Sequence, residues 1–202
     1  MKRTLRRLAL LSVAMVLGFA SCEKENNGYE YVDLGLPSGT KWATCNVGAT
    51  APHEYGNYYA WGETAPKSVY DKSNSVTYKQ QMGDISGNAV YDAARANWGS
   101  RWRMPTKAEM DELVNECSWT STTQSGVNGY KVMGSNGNSI FLPAAGFYSG
   151  ESLYRIGQDG DYWTSVPDDN TISAYGLDFG DGKITVDWGN RYYGCTVRPV
   201  SD

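Results

Sequence analysis

Only one stretch of this 202-residue chain carries firm helical periodicity, and it sits among 23 glycines that punctuate everything else. Thr106-Lys107-Ala108-Glu109 after Pro105 is a capping box, and Met110, Leu113, Val114 and Cys117 recur at i, i+3, i+4 and i+7. This predicts an amphipathic helix of about three turns. Residues 91–98 form a shorter, alanine-rich candidate stopped by Gly99. Residues 130–133 and 139–142 flank Asn136-Gly137, and 177–179 and 184–188 flank Asp181-Gly182, both dipeptides suited to hairpins. A terminal strand over 195–200 is one that Pro199 ends or confines to an edge. Residues 65–88 and 147–174 read as ordered loops, because aromatics continue through them. There is no internal repeat and no interdomain linker, so the expectation is one α+β domain over residues 31–202.

The N-terminus reads as an address. A basic start with Lys2, Arg3, Arg6 and Arg7 precedes the apolar run 8–19, which is shorter than the roughly 20 residues a membrane-spanning helix needs. Ala20 and Ser21 then precede Cys22, and Phe19-Ala20-Ser21-Cys22 resembles a bacterial lipobox. The resemblance implies a signal peptide over 1–21 and a lipidated Cys22, followed by a polar tether over 22–30 whose Glu23 and Glu25 resemble surface-export signals of Gram-negative lipoproteins.

Removing that leader changes two totals. The net charge moves from −4 to −8, with 14 basic against 22 acidic residues. An acidic chain gains nothing from releasing phosphate counterions, so nucleic acid is not an expected partner. Without Cys22, the remaining Cys45, Cys117 and Cys195 form at most one disulfide. Their spacing excludes a CxxC knuckle, and with His53 the single histidine no metal or other cofactor is expected.

Six ordered blocks carry a family resemblance. Residues 32–49 (VDLGLPSGTKWATCNVGA), 59–63 (YAWGE), 102–106 (WRMPT), 142–146 (LPAAG), 162–165 (YWTS) and 197–200 (VRPV) together resemble the Fibrobacter succinogenes major paralogous domain family. That family is similar to the formylglycine-generating-enzyme type of C-type-lectin-like fold. The resemblance implies one or two helices on small antiparallel sheets, adjacent N- and C-terminal strands and long loops on one face.

It does not bring catalysis with it. The formylglycine-generating branch holds copper with a pair of thiols near the C-terminus, where this chain has Cys195 alone. Calcium-dependent lectins use an E-P-N or Q-P-D loop, and Val166-Pro167-Asp168 begins with a side chain that cannot ligate. Calcium would instead need Asp159, Asp161, Asp168, Asp169, Asp178 and Asp181 to converge. His53 beside Glu54 lacks a specified orienting partner and reads as a loop histidine. Glu109, Glu112 and Glu116 read as the solvated face of the capped helix rather than as the carboxylate pair of a glycosidase. No enzyme activity is expected.

The aromatics divide into two sets. Trp42, Trp61, Trp98, Trp102 and Trp163 lie in or beside the family blocks and are expected to build the core. The C-terminal third interleaves tyrosines with Ser, Asn, Asp and Arg, the residue types of adaptable binding loops. It resembles the ligand face of C-type-lectin-like adhesins. Its candidate ligand-binding residues are Tyr148, Tyr154, Arg155, Asp161, Tyr162 and Asp168, together with Asn170, Trp188, Asn190, Arg191, Tyr192 and Tyr193. The resulting expectation is a non-catalytic outer-membrane lipoprotein, anchored through Cys22 and facing outward, that binds a protein or glycan. The alternatives are a structural subunit of a surface assembly, a sulfatase-modifying-type enzyme or a glycan hydrolase.

Overall fold

The computed structural model describes residues 22–24, 28–99 and 101–202. The leader read over 1–21 lies outside the described residues, as does part of the tether. Two helices and four small antiparallel sheets make up the described chain, an α+β architecture. No helix among the described residues is long and apolar enough to cross a membrane.

Helix α1 (Ala93–Trp98) is capped by the Asp92 carboxylate at the Arg95 N–H and ends at Gly99, whose φ of 64° suits a residue without a Cβ. Helix α2 (Lys107–Glu116) has the reciprocal capping box of Thr106 and Glu109, and it buries Met110 and Leu113. Both helices match their sequence signals to within one or two residues.

The first sheet is ordered β1 (Cys22–Lys24), β2 (Glu30–Asp33), β3 (Lys41–Ala43) and β12 (Val200–Ser201), which places the two ends of the described chain in one sheet. The terminal strand differs from expectation. Pro199 precedes it, and residues 195 and 196 form isolated bridges to Tyr59 and Tyr162. The Pro199 carbonyl accepts the Ala43 N–H at 2.9 Å, but without an N–H of its own Pro199 cannot return a bond, so two-sided pairing with β3 begins at Val200.

The second sheet is β4 (Ser118–Gln124), β5 (Val127–Met133) and β6 (Ser139–Pro143). β4 pairs with β5 across Ser125-Gly126, both at positive φ, a two-residue turn absent from the sequence expectation. The third sheet is β11 (Lys183–Asn190), β10 (Ser173–Gly180) and β9 (Gly160–Pro167), with the expected hairpin at Asp181-Gly182. A short hairpin, β7 (Phe147–Ser149) with β8 (Ser152–Tyr154), precedes it. The stretch 147–174 is therefore largely strand, which corrects its reading as loop. Residues 65–88 do lack strands and helices, apart from a bridge between Tyr70 and Gly150.

The expected tryptophan core is present. Trp42, Trp61, Trp98, Trp102 and Trp163 are all buried. A ring of this size removes about 200 Å² from water and contributes on the order of 5 kcal/mol. Arg198 is also fully buried. Its guanidinium donates to Asn46 Oδ1 (2.8 Å), to the Ala43 and Thr44 carbonyls (3.0 and 2.9 Å) and to the Phe141 carbonyl (2.9 Å), which ties β3 to β6. Cys45, Cys117 and Cys195 are free thiols.

Candidate functional site

Strand alternation separates the two faces of the β9–β10–β11 sheet. Tyr162, Leu177 and Phe179 point into the core shared with Met110 and Leu113 of α2. The register puts Asp161 opposite Asp178, and Gly176 opposite both Trp163 and Asp187, so these residues share the other face. That face lines a cleft of about 230 Å³, together with Phe147, Tyr193 and Cys195, the last on the segment that pairs beside β9 through Thr196. Two glycines make room for it. A Cβ at Gly176 would stand 2.9 Å from the Tyr162 carbonyl oxygen, and one at Gly189 3.2 Å from the Trp163 ring. Trp163 is itself fixed by donation from Nε1 to the Tyr59 carbonyl at 2.8 Å.

The cleft is acidic. Asp161 is the least exposed of its carboxylates, and its Oδ2 atom is buried without a hydrogen-bond partner. Burial, reinforced by Asp178 and Asp159, pushes its carboxyl up to about 7. Asp178 is exposed at the mouth and is also raised, by partial desolvation and by Asp159. Asp187 is exposed and accepts the Trp188 N–H through Oδ1 at 2.8 Å. Burial drives the Cys195 thiol upward, so it lines the cleft as a neutral group.

A row of aromatic rings passes beside the cleft. Tyr154 stacks on Phe147 (5.7 Å between centroids), Phe147 meets Tyr193 (5.0 Å), Tyr193 meets Tyr192 (4.9 Å) and Tyr192 meets Tyr78 (5.6 Å). All five rings are half-buried or exposed. Of the site residues that the sequence offers, Tyr154, Tyr192 and Tyr193 belong to this row, and Tyr193 also lines the cleft with Asp161. Phe147 and Tyr78 are not among them. Tyr78 lies in the 65–88 loop, where nothing local marks it as a neighbour of Tyr192.

Other candidates go elsewhere. Tyr162 is buried, with its hydroxyl donating to the Pro143 carbonyl at 2.7 Å, so it belongs to the core rather than to a ligand face. Arg191 is likewise buried. It donates to the carbonyls of Ser173 (2.8 Å), Gln80 (2.8 Å), Thr77 (3.2 Å) and Asn170 (3.3 Å), with its guanidinium 4.6 Å from the Trp61 ring centre. These bonds hold the turn bearing Tyr78 against the end of β10, so Arg191 positions the face without being available to a ligand. Tyr148 packs between Tyr58 and Tyr70. Arg155 pairs with Asp159 and with Asp181 (2.7 Å). The Asn170 side-chain amide donates to Asp168 Oδ2, and both Asp168 and Asn170 accept from Ser173. Asn190 ends β11 opposite Ser173. Trp188 borders the cleft and is 61% exposed, but alternation turns it to the α2 side, opposite Tyr175.

Of the six aspartates named as calcium ligands, Asp161 and Asp178 stand opposite each other with Asp159 close by, while Asp168 lies in the turn between β9 and β10. Among the described residues no group of three or more His, Cys, Asp or Glu side chains could hold a metal ion. Glu109 is not a solvated carboxylate. It takes a two-pronged ion pair from Arg103 at 2.7 and 2.8 Å, which together with the Thr106 N–H and the Thr40 hydroxyl overcomes burial and holds its carboxyl down at about 2. Glu112 accepts from the Ser38 N–H and hydroxyl at 2.9 and 2.5 Å. Glu54 is engaged by Thr50 and Ala51 in its own turn. No family model, no curated protein and no solved structure matches the chain, so its function is argued from this geometry.

Proposed function

We propose that this is a non-catalytic, lipid-anchored envelope protein with a C-type-lectin-like domain of the Fibrobacter major paralogous type, and that it binds a protein or glycan through its C-terminal face. The observation that carries the reading is the row of five rings from Tyr154 to Tyr78 beside an open cleft. A partly exposed aromatic row offers large contact area with little side-chain entropy to lose, and it suits stacking on sugar rings or packing on a protein surface. Anchoring rests on the lipobox-like run ending at Cys22.

The test is binding of the chain and of its Tyr192→Ala and Tyr193→Ala variants to an array of envelope glycans and proteins. Both rings are partly exposed, so the variants keep the native circular dichroism and lose binding about tenfold or more. Equal binding by all three proteins would sink the reading. Mass spectrometry of Cys22 checks the anchor, and a free thiol there would remove it.

A further inference from the structure

A strand at the edge of a sheet offers its outward N–H and C=O groups to any other chain, and natural sheets defend such edges with charge, proline, bulges or a covering segment. Several edges of the described chain are defended in these ways. β1 carries Glu23 and Lys24, and β11 carries Lys183 and Asp187. β9 is covered by Thr196, whose carbonyl accepts the Trp163 N–H and whose N–H donates to the Asp161 carbonyl. On β6 the carbonyls of Phe141 and Pro143 accept from Arg198 (2.9 Å) and from the Tyr162 hydroxyl (2.7 Å). β4, at the other edge of that same sheet, has none of these devices. Its seven residues, Ser118 to Gln124, include no charge and no proline, pair with β5 without a bulge, and are exposed or half-buried throughout.

The hairpin turn fixes which backbone groups of β4 are open. With Ser125 and Gly126 both at positive φ, the flanking pair Gln124 and Val127 exchanges both backbone bonds, and the exchange recurs at every second pair: Thr122 with Gly129, Thr120 with Lys131, Ser118 with Met133. The N–H and C=O groups of Trp119, Ser121 and Thr123 therefore point away from the sheet. Among the described residues nothing outside the sheet bonds to them. The same alternation carried across β5 turns Phe141 and Pro143 of β6 outward, where Arg198 and Tyr162 do meet them.

We propose that β4 is the surface through which two copies of this chain associate, edge to edge and antiparallel about a two-fold axis at Ser121. In that register Ser121 faces its own counterpart and Trp119 faces Thr123 of the second copy, so every outward N–H and C=O of both strands finds a partner. No other two-fold register uses them all. Thr120 comes opposite Thr122, a favourable cross-strand pair, and no like charges meet. The strand is complementary to itself, which is what a contact made by the same patch on both copies requires. The joined sheet runs β6-β5-β4-β4-β5-β6. Both of its outer edges are the closed β6 edge, so assembly stops at two copies. The pairing does not depend on the ligand reading, because Tyr154, Phe147, Tyr193, Tyr192 and Tyr78 all lie outside β4.

The experiment follows the full chain, in neutral detergent with micelles in large excess, by sedimentation equilibrium over a concentration series. An edge of this length makes a small interface, so the expected result is a reversible monomer–dimer equilibrium with the dimer predominant at about 100 μM. Hydrogen exchange at the Trp119, Ser121 and Thr123 amides slows as the dimer forms, while that of Thr120 and Thr122, already bonded within the hairpin, changes little. Ser121→Lys sets two ammonium groups against each other across the axis and weakens the dimer about tenfold or more. Ser121→Pro removes an outward N–H that β5 does not use, and has the same effect. Both variants keep the circular dichroism of the parent, because Ser121 is exposed. Mild oxidation joins Ser121→Cys into a covalent dimer but not Thr123→Cys, which in this register lies about 14 Å from its counterpart. A parent that is monomeric at the top of the series overturns the proposal, and so does a dimer that Ser121→Lys and Ser121→Pro leave intact. Cross-linking of Thr123→Cys as readily as Ser121→Cys, or assembly beyond two copies, overturns the two-fold register.

Discussion

Glu109 and Asp161 are both largely buried carboxylates, yet their surroundings drive them in opposite directions. At the start of α2, Arg103, Thr106 and Thr40 all donate to Glu109, and its carboxyl sits at about 2. On the β9–β11 face, Asp161 meets other carboxylates, its Oδ2 has no donor, and its carboxyl sits at about 7. The first site is complete without any other molecule and serves only to fasten α2 to Thr40 and to Arg103. The second leaves an acceptor without a donor and keeps its proton to near neutrality, which costs stability.

The largest expected effect comes from removing that cost. The unfolded Asp161 carboxyl loses its proton near its ordinary value of 3.8 and the folded one near 7, so ionisation works against the fold as pH rises between those values and the full penalty applies above 7. The whole shift corresponds to about 4 kcal/mol, and the partial exposure of Asp161 lowers the realised figure to about 2. Asp161→Asn therefore raises the unfolding free energy by about 2 kcal/mol at pH 8 and leaves it nearly unchanged at pH 4, measured by urea denaturation. A gain that does not depend on pH would show that the carboxyl is not the source.

Glu109→Gln tests the opposite side with the opposite sign. A carboxyl depressed from 4.5 to about 2 gives stability that is present above pH 4.5 and is lost as pH falls through 2. With its partial exposure discounted, the loss on substitution is about 1–2 kcal/mol at pH 7. The gap between parent and variant closes as the pH is brought down towards 2. If it stayed open there, the Thr106 cap rather than the Arg103 pair would be its origin.

The two sites also differ in how far the sequence exposes them. The start of α2 was legible because its signal is local: Thr106 and Glu109 cap the helix within one turn, and Asp181-Gly182 marks its hairpin in the same way. The partner of Glu109 was not, since a glutamate on a capped helix ordinarily faces water and Arg103 lies just outside the helix. β4 escaped notice because its residues Ser118-Trp119-Thr120-Ser121-Thr122-Thr123-Gln124 are mostly exposed on both faces and show no alternation. β9 shows no alternation either, because Tyr162, Trp163, Thr164 and Ser165 are buried on both faces. The sequence offers Tyr162 and Arg191 as ligand residues because tyrosine and arginine are usually at least partly exposed. Their burial depends on long-range partners, Pro143 for one and Thr77 and Gln80 for the other, that no local pattern announces.

Trp188 carries the smallest expected change and sharpens where the cleft ends. It is the most exposed of the tryptophans in the described chain, it borders the cleft, and its register opposite Tyr175 turns it to the side on which α2 packs. On that placement Trp188→Ser removes an exposed ring from a strand already held by eight cross-strand partners, and it shifts the unfolding free energy by less than about 0.5 kcal/mol. The Asp161 titration, followed by NMR, stays where it is in the parent, because no ring that shields that carboxyl has been removed. A midpoint for Asp161 lowered towards the ordinary aspartate range, or a destabilisation above about 1 kcal/mol, would mean that the Trp188 indole folds over the mouth and is a wall of the cleft. An unchanged titration confines the site to the face carrying Asp161, Trp163 and Asp187, with Tyr193 and Phe147 as its outer wall.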